Sequence, residues 1–313
     1  MRRCFPALLI LLAIVGVFHL PALEIGGYGE LGNLDFTRRN GPAFPGDAYR
    51  VGIGMYAVQP MSDSIDLEIA YSDDPILRNI GSALMSYTDR FFSVRIGPFF
   101  GILNDSGHIV RPGLSTTVDL FVPDVIRFSL RSDTPIGGRL VGTGNYIQER
   151  SELSIGFFVP NAMPTFFVRS RRFTSMAQSG ETVLEMTSYG IETDVFQSGI
   201  PYRVALSAAY QDAAHIVRAG TTTTHRYGAL VLGTGIMAEL FHTITLTADL
   251  EGSIYTFGRD ALQGESSDRF LFRLRTGVTY RQPSVAGGAK SAAVGSRSAV
   301  PPAGLIRFGR GQL

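Results

Sequence analysis

The sequence has no tryptophan and a single cysteine, Cys4. Cys4 precedes the first apolar run, on the wrong side of it for a lipoprotein acceptor, and everything after that run is cysteine-free. An exported chain without cysteine cannot be stapled by disulfides, so its stability has to come from a large core or from a closed hydrogen-bonded architecture. Charge is also scarce: 18% of residues are charged and the formal net charge is +1. That balance offers no basic excess for nucleic acid. Beyond Phe18 no apolar segment is long enough to cross a membrane as a helix. If the chain is membrane-embedded, it must therefore be as a barrel.

What is present begins with MRRCFPALLILLAIVGVFHLPALE. Arg2 and Arg3 are followed by an apolar run from Phe5 to Phe18 and a short, less apolar segment ending at Ala22. This is the layout of a secretory signal peptide, and the run is shorter than the roughly 20 residues of a bilayer-spanning helix. Residues 1–22 are expected to be the signal peptide, although Leu20 is not the small residue favoured three positions before a cut.

From Leu23 onward, short stretches of period-2 alternation recur between clusters of Gly, Pro, Asn, Asp and Ser, with no sustained helical periodicity. The pattern predicts an all-β fold of fourteen strands, with twelve as the alternative. The spans are 23–38, 48–59, 63–72, 77–87, 90–103, 108–121, 125–134, 146–159, 163–175, 182–197, 201–216, 225–241, 244–258 and 268–281. Tight connections such as PMSD (60–63), PDV (123–125) and NAM (161–163) alternate with longer ones such as NGPAFPGDA (39–47), TPIGGRLVGTG (134–144), VRAGTTTTH (217–225) and GRDALQGESSD (258–268). Short turns at one end and longer loops at the other are the habit of a transmembrane β-barrel; a soluble sandwich has no reason to keep it. A single closed antiparallel barrel over residues 23–281 is therefore expected.

The faces agree. In RFLFRLRTGVTYR (269–281), Arg269, Arg273 and Arg275 alternate with Phe270, Phe272, Leu274, Val278 and Tyr280. A soluble sheet would bury the oily face and wet the arginines; a membrane barrel turns the oil to lipid and the arginines to the lumen. Phased in this way, the inner face carries Arg50, Asp66, Glu68, Arg95, Asp119, Arg127, Arg131, Glu152, Arg169, Arg171, Glu192, Asp194, Arg203, Glu239, Asp249, Glu251, Arg269, Arg273 and Arg275, ten arginines against nine carboxylates. Charge alternates from strand to strand, so neighbouring strands are expected to pair opposite charges at roughly 0.2–1 kcal/mol each. On the oily faces Tyr49, Tyr71 and Tyr210 fall toward the long loops, and Tyr87, Tyr202 and Tyr280 toward the short turns, as interface girdles would.

At this point the sequence resembles the outer-membrane β-barrels of diderm bacteria, and the segment DPILRN…DRFFSVRIGPFFGILND (74–105) looks like spirochaetal outer-membrane barrels in particular. The resemblance covers residues 23–281 and implies a porin- or channel-like protein of the cell outer membrane. Its partners would be outer-membrane lipid, the barrel-assembly machinery and small solutes. One departure is that such barrels usually end on a strand with a terminal aromatic, whereas here Tyr280 is followed by Arg281 and then by a tail of 32 residues. This tail, 282–313, is rich in Ala, Gly and Ser, contains Lys290, Arg297, Arg307 and Arg310 and no acid, and reads as a flexible extension.

No chemistry-bearing motif stands out. His108, His215, His225 and His242 lack metal-ligand spacing and carry no signature of a base beside a nucleophile. The glycines of GGYGELG (26–32) and GIG (52–54) lack a strand-to-helix setting for phosphate and fit close packing or barrel bends instead. No enzyme, cofactor or metal is expected. The leading expectation is a passive pore or uptake channel for small solutes. The alternatives are a carrier of hydrophobic, fatty-acid-like substrates, with Phe91, Phe99, Phe121, Phe158 and Phe167 toward the lumen, or a structural barrel whose loops are adhesive.

Overall fold

The structure, a computed structural model, describes residues 23–34, 37–38, 42–43, 49–74, 78–103, 109–135, 145–177, 180–197, 200–241, 243–257 and 270–282. The expected signal peptide, nearly all of the tail and Arg269 lie outside them. Among the described residues every regular element is a strand. The strands are β1 (Glu24–Gly32), β2 (Thr37–Arg38), β3 (Pro42–Ala43), β4 (Arg50–Pro60), β5 (Ile65–Asp74), β6 (Arg78–Thr88), β7 (Phe92–Leu103) and β8 (Ile109–Val122). They continue as β9 (Ile126–Pro135), β10 (Asn145–Phe157), β11 (Ala162–Ala177), β12 (Gly180–Phe196), β13 (Tyr202–Ala219), β14 (Thr221–Leu240), β15 (Ile244–Phe257) and β16 (Phe272–Arg281). β2 and β3 pair only with each other; the other fourteen form one closed antiparallel barrel in which each strand pairs with its sequence neighbours and β16 returns to β1.

Three boundaries differ from the sequence reading. β1 stops at Gly32 rather than running to residue 38, because Asn33 turns the chain across β16: its amide donates to the Phe272 carbonyl at 2.9 Å, its side-chain Nδ2 to the Phe270 carbonyl at 3.1 Å, and its Oδ1 accepts from the Phe272 amide at 2.8 Å. β16 begins at Phe272, not residue 268. VRAGTTTTH is not a long loop. β13 and β14 continue through it and reverse on Gly220, whose φ of 76° a glycine adopts freely. The β-branched run Thr221–Thr224 favours that ladder. The short-turn end keeps its tight connections, with Asp124 and Asn161 in left-handed conformations that short polar side chains tolerate. At the other end the asymmetry is carried partly by strand length, since β12, β13 and β14 reach 17, 18 and 20 residues.

The partition of side chains is the reverse of a soluble sheet. Leu153, Ile155 and Phe157 of β10 are exposed, while Glu152 and Ser154, which alternate with them, are buried. On β16, Leu274, Val278 and Tyr280 are exposed and Arg275 and Thr279 are buried. The same outward set includes Tyr49, Tyr87, Tyr202 and Tyr210 from the expected girdles, joined by Tyr189 and Tyr255; Tyr71 is only half-exposed. So extensive an apolar surface marks a face made to be covered.

Glycines set how closely the walls approach. Tyr28 lies opposite Gly54, and Tyr56 opposite Gly26, so that each ring of β1 and β4 covers the other strand's glycine. Gly97 is stricter. The β6–β7 ladder is interrupted there, beside Pro98, which has no amide to donate. A Cβ on Gly97 would lie inside van der Waals contact with the Ala83 carbonyl oxygen and 2.8 Å from the Leu84 Cα. Gly97→Val should therefore lower stability in detergent by about 1–3 kcal/mol. Gly29→Ala is the control, because nothing lies within 4 Å of its Cβ position. Urea midpoints that fall equally, or not at all, for the two variants would contradict this packing.

Candidate functional site

The candidate site is the barrel interior. The inner faces bring many of the expected charges together, often across the strands anticipated. Glu251 stands in register with Arg273 and pairs with it, and Asp249 is in register with Arg275. Arg169 reaches Glu152 at 3.3 Å on β10 and Glu192 at 2.9 Å on β12, with its guanidinium 3.9 Å from the Phe167 ring centroid. Arg127 donates through Nε and Nη2 to Asp119 Oδ1 at 3.2 and 2.7 Å, and both side chains are almost fully buried.

Some pairings differ from simple strand-to-strand alternation. Asp119 is taken by Arg127, while Arg95 reaches over β6 to Glu68 at 3.1 Å. The inner face of β6 offers Ser82, Leu84 and Ser86, which carry no charge, so the long arginine bridges it. Asp66 accepts from Ser86 at 3.5 Å, Asp194 is buried, and Arg203 lies over Phe196 at 5.9 Å. Arg171 lines the central cavity described below. Glu239 is exposed near the short-turn end of β14.

Among the described residues, the interior charges that were missed include Glu30, Asp133, Arg150 and, at the rim, Glu24 with its partner Arg281. Glu30 is the largest omission. It accepts from Arg275 Nε at 3.0 Å and from Arg50 Nη1 at 3.0 Å, joining β16, β1 and β4. Arg131 pairs with Asp133 at 2.9 Å, and Ser115 donates to the same carboxylate at 2.5 Å. Extending the alternation of β9 and β10 by one more step places Asp133 and Arg150 on the inner face, and phasing β1 would have done so for Glu30.

Toward the long-loop end the interior becomes apolar. Leu34, Ile80, Phe99, Phe173, Leu184, Ala213, Ala229, Val231 and Leu271 form one buried cluster. It draws on β6, β7, β11, β12, β13 and β14, with Leu34 brought in by the Asn33 turn and Gln211 Nε2 donating to the Leu34 carbonyl at 3.3 Å. The five phenylalanines considered as a hydrophobic lining do not form one. Phe99 belongs to this cluster, Phe167 lies under Arg169, Phe91 is exposed in a turn, and Phe121 and Phe158 are half-buried at the short-turn end. On the short-turn side of the cluster lies a cavity of about 140 Å³ whose charged lining is Arg131, Arg150, Arg169, Arg171, Arg273 and Arg275 with Glu152 and Glu251. Among the described residues no group of three or more His, Cys, Asp or Glu is arranged to hold a metal.

Beyond the apolar belt, where Asp212 already faces outward on β13, His215 and His225 stand in register with ring centroids 6.4 Å apart. Burial, and secondarily the neighbouring His225, hold the His215 pKa below the ordinary histidine value. The folded state thus binds fewer protons than the unfolded one as the pH falls through that range, and the β13–β14 extension loses stability on acidification.

No protein-family model and no curated protein matches the sequence. Among solved structures, an outer membrane channel from Pseudomonas putida F1 is 10% identical, with 85% of this chain and 97% of that one covered and a TM-score of 0.47. A bacterial polysaccharide outer membrane secretin is 12% identical over 83% and 98% of the two chains, with a TM-score of 0.44. A porin is 8% identical over 83% and 99%, with a TM-score of 0.40. At such distances function has to be argued from this chain's own residues.

The Arg127–Asp119 pair generates the clearest energetic expectation. Removing one partner of a buried ion pair leaves a desolvated charge, which costs about 3–5 kcal/mol. Asp119→Ala should destabilise the barrel by that order in urea, and Asp119→Ala with Arg127→Leu should regain most of it. A double variant as unstable as the sum of its singles would show that the pair is not coupled.

Proposed function

We propose that the chain is an outer-membrane β-barrel of a diderm bacterium and works as a passive channel for small solutes. The observation that carries this reading is the inside-out partition of a closed barrel: an outward apolar belt with tyrosines near its edges, and an interior of buried, paired charges. A closed barrel leaves no unpaired sheet edge in hydrocarbon, and an interior of fixed charges holds water and polar solutes. The resemblance of residues 74–105 to spirochaetal barrels supports the same setting.

Fourteen strands make a narrower tube than the ~16–18-stranded porins, so side chains set the bore. The Leu34 cluster is the constriction. Leu34 enters it from the Asn33 turn rather than from a barrel strand. The carrier reading gains no support from the phenylalanines, which are scattered along the tube.

Purified protein in planar bilayers should give small stepwise conductance. Leu34→Ser should increase the unitary conductance or the open fraction by weakening the apolar seal. Silence of both proteins over a range of voltages would overturn the channel reading.

A further inference from the structure

The short-turn rim carries more apolar surface than its position calls for. Turns that meet water are built mainly from Gly, Pro, Asn, Asp and Ser. Each of the six short connections here also presents an exposed apolar side chain: Met61, Phe91, Val125, Val159, Ile200 and Phe241. These lie past Tyr87, Tyr202 and Tyr280, the outward tyrosines at the strand ends, and so beyond the ring that suits a membrane interface.

Phe241 is the extreme member. It is 84% exposed and holds a φ of 55°. Left-handed backbone is a genuine outlier for so bulky a residue. Among the described residues the other non-glycine positions with positive φ are Asp124 and Asn161, also in short turns, and both are types that accept it. Asparagine at 241 would relieve the backbone and remove the exposed ring, so the barrel by itself gains nothing from phenylalanine there. A local rule broken with no gain inside the fold is the mark of a contact made elsewhere.

The chain itself supplies a partner at that place. The Arg281 amide donates to the Thr243 carbonyl at 2.8 Å and the Gln282 amide to the Leu23 carbonyl at 2.9 Å, so the tail leaves beside the turn that holds Phe241. The Glu239 amide donates to the Pro201 carbonyl at 2.7 Å, which sets the turn of Ile200 next to it. Residues 283–304 are Ala, Gly, Ser, Pro and Val with Lys290 and Arg297; Leu305, Ile306, Arg307 and Phe308 follow. This is a tether of small residues ending in an apolar, cationic segment. A tether of that length spans ~26 Å, at ~5.5 Å times the square root of its residue number, and neighbouring turns are roughly 10 Å apart, so both are within reach. Tethering also holds the segment's local concentration near the millimolar range. Charge agrees. Asp63, Asp89, Asp124 and Glu239 are exposed on the rim against exposed Arg90 and half-buried Arg203, and Arg281 is paired with Glu24. The tail carries Lys290, Arg297, Arg307 and Arg310 and no acid.

We infer that the short-turn rim is the docking surface for the chain's own segment Leu305–Phe308, with Phe241 and Ile200 on adjacent turns as its apolar seat and the rim carboxylates facing the tail's cations. Burial of the Phe241 ring against this segment offsets the strain of its backbone. The inference needs the closed barrel and its rim, and it does not need the barrel to conduct.

The test uses the full chain with Cys4→Ser, which leaves it cysteine-free, reconstituted at low density in bilayers with a single nitroxide on Gly309→Cys. The label should show an immobilised component. Phe241→Asn with Ile200→Ser, and separately Phe308→Ser, should lower the ratio of immobilised to mobile label by about tenfold or more. Asparagine suits the backbone at 241, so these variants should keep the heat-shifted electrophoretic mobility of the parent barrel. A mobile label in the parent overturns the proposal and leaves the rim to a separate protein. An immobilised label indifferent to the rim substitutions overturns it in favour of a seat in the lumen. A label reached better by a lipid-soluble than by a water-soluble relaxation agent overturns it in favour of the bilayer surface. Immobilisation that disappears on further dilution in lipid also overturns it, since the rim then holds the tail of a second copy. None of these readouts requires conductance, so a barrel silent in bilayers removes the channel and keeps the docked tail, whereas a conducting barrel with a mobile tail does the reverse.

Discussion

The closure of β1 on β16 is the interaction on which everything else depends. Without it, two edge strands would carry unpaired amides and carbonyls, a liability in water and a cost of several kcal/mol per group in hydrocarbon. The seam is held at three levels. Near the short-turn end, Arg281 pairs with Glu24 at 2.8 Å and the Gln282 amide donates to the Leu23 carbonyl at 2.9 Å. Midway, Arg275 engages Glu30, and at the long-loop end the Asn33 side chain clips the backbone of β16. The contacts that close the barrel also build its interior, because Glu30 carries Arg50 and Arg275 together and Asn33 delivers Leu34 into the lumen.

Closure forces a division of labour between the faces. Once the ladder satisfies the backbone, each strand offers alternate side chains to two surroundings, and the residues decide which is which. The outward set is aliphatic and aromatic. The inward set is polar and charged, and its members find each other at salt-bridge distance, so the lumen is a crosslinked lining in most places. One departure gives the tube its character: the apolar cluster around Leu34, which narrows it above a cavity lined largely by arginine.

Much of this was legible because period-2 alternation reports the faces directly. A slip of one residue reverses every side chain, and the strand phases read from 125–134, 146–159, 244–258 and 269–281 place the exposed and buried sets on the faces that the structure shows. Most strand boundaries agree to within a few residues. The clearest failures share one cause, which is that pairing across the barrel is invisible to local pattern. Asn33 ends β1 through a strand more than 230 residues away, and Gly97 matters because of the backbone of β6. Arg95 finds Glu68 by reaching over the uncharged stretch Ser82–Ser86 of β6. The segment around Gly220 misled differently: threonine and histidine read as loop residues, yet β-branched threonines continue the ladder when a neighbour is present.

The central claim is that the oily face of each strand meets lipid while the charged face meets the lumen. Single spin labels placed at 272–280 along β16, in barrels reconstituted into bilayers with a lipid-soluble relaxation agent, test it most directly. The account predicts accessibility with a period of two, high at Phe272, Leu274, Thr276, Val278 and Tyr280 and low at Arg273, Arg275, Gly277 and Thr279. Peaks at the arginine positions, or no position reached by the agent, would contradict it.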